Sequence, residues 1–244
     1  STEDYPEFAS KEHIAAAYRT AVESEVLLKN EGVLPLKKSA RILVTGPNAN
    51  SMRTLNGGWS YTWQGDEAEK PEFTQQYNTI YEALSQKFDH VRYVPGINYD
   101  LYTRNWQHED VDIAPVVRAA KDADVIVVCV GENTYCETPG NITDLALSAN
   151  QQNLVKACAA TGKPVVMILN EGRPRVVREI EPLADAIVDI MLPGNFGADA
   201  LAALLCGEEN FSAKLPFTYP KYVNKFAVYD YKPSENQGTM SGVY

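Results

Sequence analysis

Apolar residues in this chain gather in short, nearly unbroken runs, and between the runs they recur at three- and four-residue spacing. "RILVTG" (41–46), "VRYVPG" (91–96), "DVIVVCVG" (124–131), "PVVMILN" (164–170) and "DAIVDIML" (185–192) are rich in β-branched residues. Runs of this length read as strands buried on both faces. Helical spacing is expected over 11–30, where Ile14, Ala17, Tyr18, Ala21, Val22, Val26 and Leu27 share a face and Ser10 is a candidate N-cap. Further helices are expected at 79–88, at "IAPVVRAAKDA" (113–123), at "SANQQNLVKACAATG" (148–162), at "PRVVREIEPLA" (174–184) and at "FGADALAALLCG" (196–207). Ser148 suits the start of the 148–162 helix and Gly162 its end. "AKLPFTYP" (213–220) is expected to close the sheet as an edge strand, where proline is tolerated. Residues 47–78 and 97–110 read as irregular.

Strands that alternate with helices in this way predict an α/β fold. The sheet would be mainly parallel with helices on both faces, a three-layer sandwich. In such sheets ligands bind at the carboxyl ends of the strands. Two polar segments leave strands there: "GENTYCETPGN" (131–141) and "NEGRPR" (170–175). The first opens a connection long enough to suggest a function of its own.

Composition narrows the chemistry. The 244 residues carry 32 Asp+Glu against 22 Lys+Arg, a net charge of −10. That balance argues against non-specific nucleic-acid binding and a basic membrane-surface role. No apolar run reaches the roughly 18 residues of a membrane span. The three histidines are scattered and the four cysteines form no C-x-x-C pair, so neither a metal centre nor a disulfide framework is expected. There is no G-x-G-x-x-G after the first strand, no P-loop and no G-x-S-x-G elbow. Dinucleotide binding, phosphate-loop chemistry and α/β-hydrolase chemistry lose their main support, and no cofactor is expected.

The remaining candidates each have a plain structural reading beside a chemical one. Glu132 directly follows the strand glycine, where a carboxylate commonly pins a loop through Arg or backbone N–H groups. Arg173 and Arg175 in the neighbouring loop are candidate partners. Glu137 lies mid-loop beside Thr138, Pro139 and Gly140, either solvated or held out for chemistry. Trp59 and Trp63 sit in the Gly-rich stretch "LNGGWSYTWQGD" (55–66), outside any periodic element. Their indoles either stack on sugar rings or pin the loop to the domain. Trp106 has no such context and reads as packing.

Taken together, these stretches resemble the C-terminal α/β-sandwich domain of glycoside hydrolase family 3, the β-glucosidase and exo-β-glycosidase type. "AVESEVLLKNEGVLPL", "RILVTGPNAN", "NGGWSYTWQGD", "ADVIVVCVGENTYCETPGN" and "MLPGNFGADALAALLCGEENFSAKLPFTYP" carry the resemblance in order. It implies a retaining exo-β-glycosidase acting on β-linked glucosides or oligosaccharides. In the family a barrel domain of the same polypeptide bears an aspartate nucleophile and most of the sugar-gripping residues. The sandwich domain lends the general acid/base, the second glutamate of a "GE…ET.G" loop, which is Glu137 here. Trp63 then lines the aglycone subsite, with Trp59 close by. Asn141 stands where relatives often have Asp. The resemblance divides the chain into a linker and N-terminal helix following a barrel (1–36), the sandwich (37–220) and an irregular, truncated tail (221–244). It implies a periplasmic or extracellular location and a fragment that is inactive by itself. Two other readings stay open: a non-catalytic carbohydrate-binding or scaffold module, and a flavodoxin-like nucleotide or flavin binder.

Overall fold

The long apolar runs form the middle of one sheet. The computed structural model describes residues 4, 5, 7–100 and 107–223. In chain order its elements begin with α1 (Lys11–Val22), β1 (Val26–Asn30), β2 (Arg41–Thr45), α2 (Met52–Asn56), α3 (Pro71–Thr74) and α4 (Ile80–Lys87). There follow β3 (His90–Tyr93), β4 (Ile97–Tyr99), β5 (Glu109–Val111), α5 (Ala114–Ala120) and β6 (Val125–Gly131). The last are α6 (Ala149–Ala159), β7 (Val165–Asn170), β8 (Ala186–Asp189) and α7 (Gly197–Cys206). Six strands form one sheet in the order β1-β8-β7-β6-β2-β3, parallel except for β1.

The inner strands β6 and β7 are buried along their whole length, yet their side chains still divide by the two-residue period of extended chain. Val125, Val127 and Cys129 of β6, with Val166 and Ile168 of β7, pack on one face against α2, α4 and α7. Ile126, Val128 and Val130, with Val165, Met167 and Leu169, pack on the other against α5 and α6. Both faces are covered, which gives the three-layer α/β sandwich that the alternation of runs implied. Local chemistry sets the helix starts. Thr79 and Glu82 form a reciprocal capping box on α4, and Ser148 Oγ accepts from Gln151 N at 3.2 Å on α6. No helix among the described residues is long and apolar enough to cross a membrane.

The structure corrects several local expectations. The periodic stretch 11–30 is helical only to Val22; Val26–Asn30 turn into β1, an antiparallel edge strand beside β8. Helical and sheet periods both suit "EVLLKN", and the open edge of β8 decides between them. Residues 213–220, expected as an edge strand, form no strand of the sheet. Residues 174–184 hold one turn of 3₁₀ helix (Glu181–Leu183) rather than an α-helix. Val176 is instead held in a parallel bridge to Ala146, with Val176 N donating to Leu145 O at 2.8 Å. Within 97–110, read as irregular, β4 and β5 pair as an antiparallel ribbon. The 47–78 loop contains α2 and α3. Trp106 and residues 224–244 of the tail lie outside the described residues.

Candidate active site

Strand order reverses between β2 and β6: from β2 the chain winds out to β3, and from β6 it winds the other way to β7 and β8. The loops leaving the carboxyl ends of β2 and β6 start side by side at this switch point, where α/β sheets commonly bind ligands. Asn48 ties the strand ends together there. Its fully buried amide donates to Glu132 O (3.1 Å), Asn170 O (3.2 Å) and Asn170 Oδ1 (2.9 Å), and it accepts from Tyr99 Oη at 2.8 Å.

Glu132 is 4% exposed and faces inward from the end of β6. Its Oε1 accepts from Arg173 Nε (3.0 Å), Arg173 Nη2 (2.8 Å) and Arg175 Nη1 (3.0 Å). Its Oε2 accepts from Tyr135 Oη (2.9 Å) and from the backbone N–H groups of Gly172 and Arg173 (both 3.1 Å). A carboxylate with every lone pair engaged is an anchor; it has no free oxygen to offer a substrate. The Arg173 guanidinium also lies 3.8 Å over the Tyr135 ring and donates to Gly140 O, while Arg175 donates to Ala146 O. Burial, reinforced by the Glu132 carboxylate, pushes the Tyr135 phenol up. The acid loop is thus fastened at its root, its middle and its return.

Glu137 is different in kind. Its side chain is exposed, and its backbone sits at φ 53°, ψ −151°, a region that L residues rarely adopt. Such a conformation costs about 1–3 kcal/mol and persists only where the surroundings enforce it. On its far side the loop closes in a 3₁₀ turn, with Gly140 N donating to Glu137 O at 2.9 Å. On its near side, Cys136 is locked to the tryptophan loop. Cys136 Sγ donates to Trp63 O (2.9 Å), Cys136 N donates to Gln64 Oε1 (3.1 Å), and Thr134 Oγ1 donates to Gln64 O (2.5 Å).

Two glycines permit this approach. A Cβ on Gly58 would lie 2.3 Å from Tyr135 O, and one on Gly65 (φ 71°) would lie 2.0 Å from Gly57 O and 2.6 Å from Thr134 Oγ1. The tryptophans meanwhile stand out of the loop: Trp59 is 69% exposed and Trp63 48%. Trp59 N donates to Trp63 O at 2.9 Å, so a tight backbone turn holds the two. Tyr61 and Leu192 are also exposed on this rim; Asn195 Nδ2 donates to Tyr61 Oη, and Asn56 Nδ2 to Asn195 Oδ1. The fold therefore joins Glu137, Trp59 and Trp63 in one rim, with Glu132 and Arg173 below it. Gln64, Cys136, Tyr61 and Leu192 were not singled out from sequence. Only the polar Gln between Trp63 and Gly65 hinted at a partner, and nothing in the spacing said which.

A second buried acid lies beside the anchor. Glu171 is 3% exposed, and its Oε1 contacts Tyr219 Oη while accepting from Arg175 N at 3.1 Å. Tyr219 Oη also lies 2.7 Å from Arg175 O, which can only accept. The Tyr219 hydroxyl thus lies between two acceptors. Burial first, and Asp189 next, push the Glu171 pKa well up, against a smaller lowering by the Tyr219 bond.

The chain is similar to known proteins in sequence and in fold. The model of the glycosyl hydrolase family 3 C-terminal domain matches residues 25–244. A lysosomal beta glucosidase of Dictyostelium discoideum is 38% identical over 229 residues, covering 91% of this chain and 27% of its own length. A periplasmic beta-glucosidase of Salmonella typhimurium is 34% identical over 236 residues, covering 90% of this chain and 30% of its own. The crystal structure of a beta-glucosidase from Listeria innocua in complex with isofagomine superposes with a TM-score of 0.75 at 29% identity, over 91% of this chain and 28% of that one. The chain thus spans 27–30% of the length of these relatives.

Proposed function

Since the chain belongs to glycosyl hydrolase family 3 as its C-terminal domain, we propose that it supplies the general acid/base of a retaining exo-β-glycosidase through Glu137. The nucleophile comes from a barrel domain of the same polypeptide, and the substrates are β-linked glucosides or oligosaccharides. One observation carries the reading most strongly: Glu137 is exposed in an enforced backbone conformation and locked, through Cys136, to the loop that presents Trp63. A proton donor beside an aromatic wall suits the leaving-group side of a glycosidic bond.

Retaining hydrolysis needs two carboxyl groups about 5–5.5 Å apart across the scissile bond. One attacks the anomeric carbon; the other protonates the departing oxygen and then activates water. Glu132 is unsuited to either part because six donors already saturate it. Glu137 has the reach and exposure for the second part. A (β/α)₈ barrel needs about 250 residues, and the relatives are long enough to hold one beside this domain. With the nucleophile on another domain, this chain alone hydrolyses no glycoside. The lysosomal and periplasmic relatives support an extracytoplasmic site of action for the whole enzyme.

The test is Glu137→Gln in the full-length enzyme. Hydrolysis of substrates with poor leaving groups should fall by about 10²–10⁴, the usual worth of a positioned acid/base. Dinitrophenyl glycosides, which need no protonation, should still react, and added azide should accelerate their turnover. Unchanged hydrolysis of alkyl glucosides would remove Glu137 from the role. The exposure of Trp59 and Trp63 favours a rival, sugar binding by this domain alone; calorimetry of the chain with gluco-oligosaccharides separates the two, since a half-site should show no appreciable affinity.

A further inference from the structure

Resting on the assignment of Glu137 as acid/base, we propose that Gln64 is the positioning residue that holds it, acting as a side-chain substitute for a neighbouring strand. The Gln64 amide faces the peptide groups of Cys136 from both sides. Its Oε1 accepts from Cys136 N at 3.1 Å, and its Nε2 donates to Cys136 O at 3.3 Å. Nε2 also lies 3.2 Å from Cys136 Sγ. One planar amide thereby satisfies both backbone polar groups of the residue immediately before Glu137. A β-ladder partner would make the same pair of bonds. The Gln64 backbone is gripped in turn, its carbonyl accepting from Thr134 Oγ1.

The consequence falls on the next residue. Glu137 occupies a backbone region that only external restraint maintains, and its other side is held by the Gly140 N–H. If the amide is removed, the Cys136 peptide loses both partners and Glu137 can relax toward ordinary φ values, which re-aims its carboxyl. Trp63 precedes Gln64 in the chain, so the same residue sets the acid in register with the aromatic wall. A glutamate at position 64 would keep the bond from Cys136 N but turn a carboxylate oxygen against the Cys136 carbonyl, where no proton lies between them. A leucine would keep the volume and lose both bonds.

Full-length enzyme carrying Gln64→Leu, Gln64→Glu or Glu137→Gln separates the possibilities. Substrates are a β-linked gluco-disaccharide and a dinitrophenyl β-glucoside, with and without azide. For Gln64→Leu, kcat/KM on the disaccharide should fall about 10–100-fold while kcat/KM on the dinitrophenyl substrate stays within about threefold, because bond cleavage needs the proton only for the poor leaving group; the misplaced base shows as a lower dinitrophenyl kcat that azide restores. Gln64→Glu should fall between wild type and Gln64→Leu, and it carries the comparison if Gln64→Leu does not fold. Equal losses of kcat/KM on both substrates, or a lower Tm with an unchanged leaving-group dependence, would mean that Gln64 merely supports the loop, and would overturn the proposal. If Glu137→Gln leaves the disaccharide untouched, the acid/base reading fails first. If Glu137→Gln behaves as an acid variant and Gln64→Leu does not, the positioning role alone fails.

Discussion

Glu25 carries two carboxyl oxygens into a space that offers them nothing. The residue is fully buried between α1 and the first residue of β1, and neither oxygen has a hydrogen-bond partner among the described residues. Burial pushes its pKa well above the ordinary 4.5. The folded form therefore prefers the neutral acid, and the position becomes a liability as pH rises above 4.5 and the unfolded chain ionises. Glu25→Ile should stabilise the chain at pH 7 by about 1–3 kcal/mol, the usual cost of an unpaired buried polar group. The gain should shrink at pH 4, as chemical denaturation at the two values would register. A destabilised variant at both would show that the carboxyl has a partner in solution. None of this could be read from "VESEV", where the acid falls between apolar residues without any mark of its burial.

At the scale of elements, the site is two loops fastened by unequal devices. Glu132 joins the end of β6 to the loop after β7 through Arg173 and Arg175. Removing one partner from a buried ionic cluster commonly costs 3–5 kcal/mol because the opposing charge is stranded, so Glu132→Ala should lose about that much. Amide exchange should quicken over 132–148 and 171–176 while β2 stays protected; uniform exchange across the sheet would contradict a local anchor. Gly65→Ala should act on the other fastening. With a Cβ 2.0 Å from Gly57 O and φ at 71°, it must force the tryptophan loop off Thr134. In the full-length enzyme it should reproduce the leaving-group signature of Gln64→Leu. Buried strands and capped helices were legible because each advertises its own period. β1 and the 174–184 segment were not, because a partner elsewhere in the chain decides them: the open edge of β8 for the first, and the bridge from Val176 to Ala146 for the second.

For the whole molecule, the buried acids set a pH profile. Asp189, at the end of β8 and 1% exposed, is pushed from 3.8 to about 6 by burial, against a partly compensating bond from Met191 N. A carboxyl with a raised folded-state pKa contributes fully below its unfolded value, and that contribution is lost as pH climbs through the folded value. Stability should therefore decline between about pH 4 and 6 through Asp189, and from about pH 4.5 upward through Glu171 and Glu25. Asp189→Asn should flatten the lower part of the curve; melting temperatures from pH 4 to 8 on both proteins would reveal it. Parallel curves would exclude Asp189 as the source.

What the sequence determined by itself was whatever depends on neighbours along the chain. The parallel sandwich follows from apolar runs too short for helices and too uniform for a one-sided sheet. The family follows from five ordered blocks, and the two glutamates from their position where a core strand ends. Tertiary structure decided how those glutamates differ. Glu132 and Arg173 are 41 positions apart, and Gln64 and Cys136 are 72 apart; no local pattern encodes such pairs. Glu132 meets Arg173 because β6 and β7 are paired neighbours, and Gln64 meets Cys136 because β2 and β6 lie side by side at the reversal of strand order. There the two loops close to van der Waals distance, and a side-chain amide can hold a distant backbone in a conformation it would not adopt by itself.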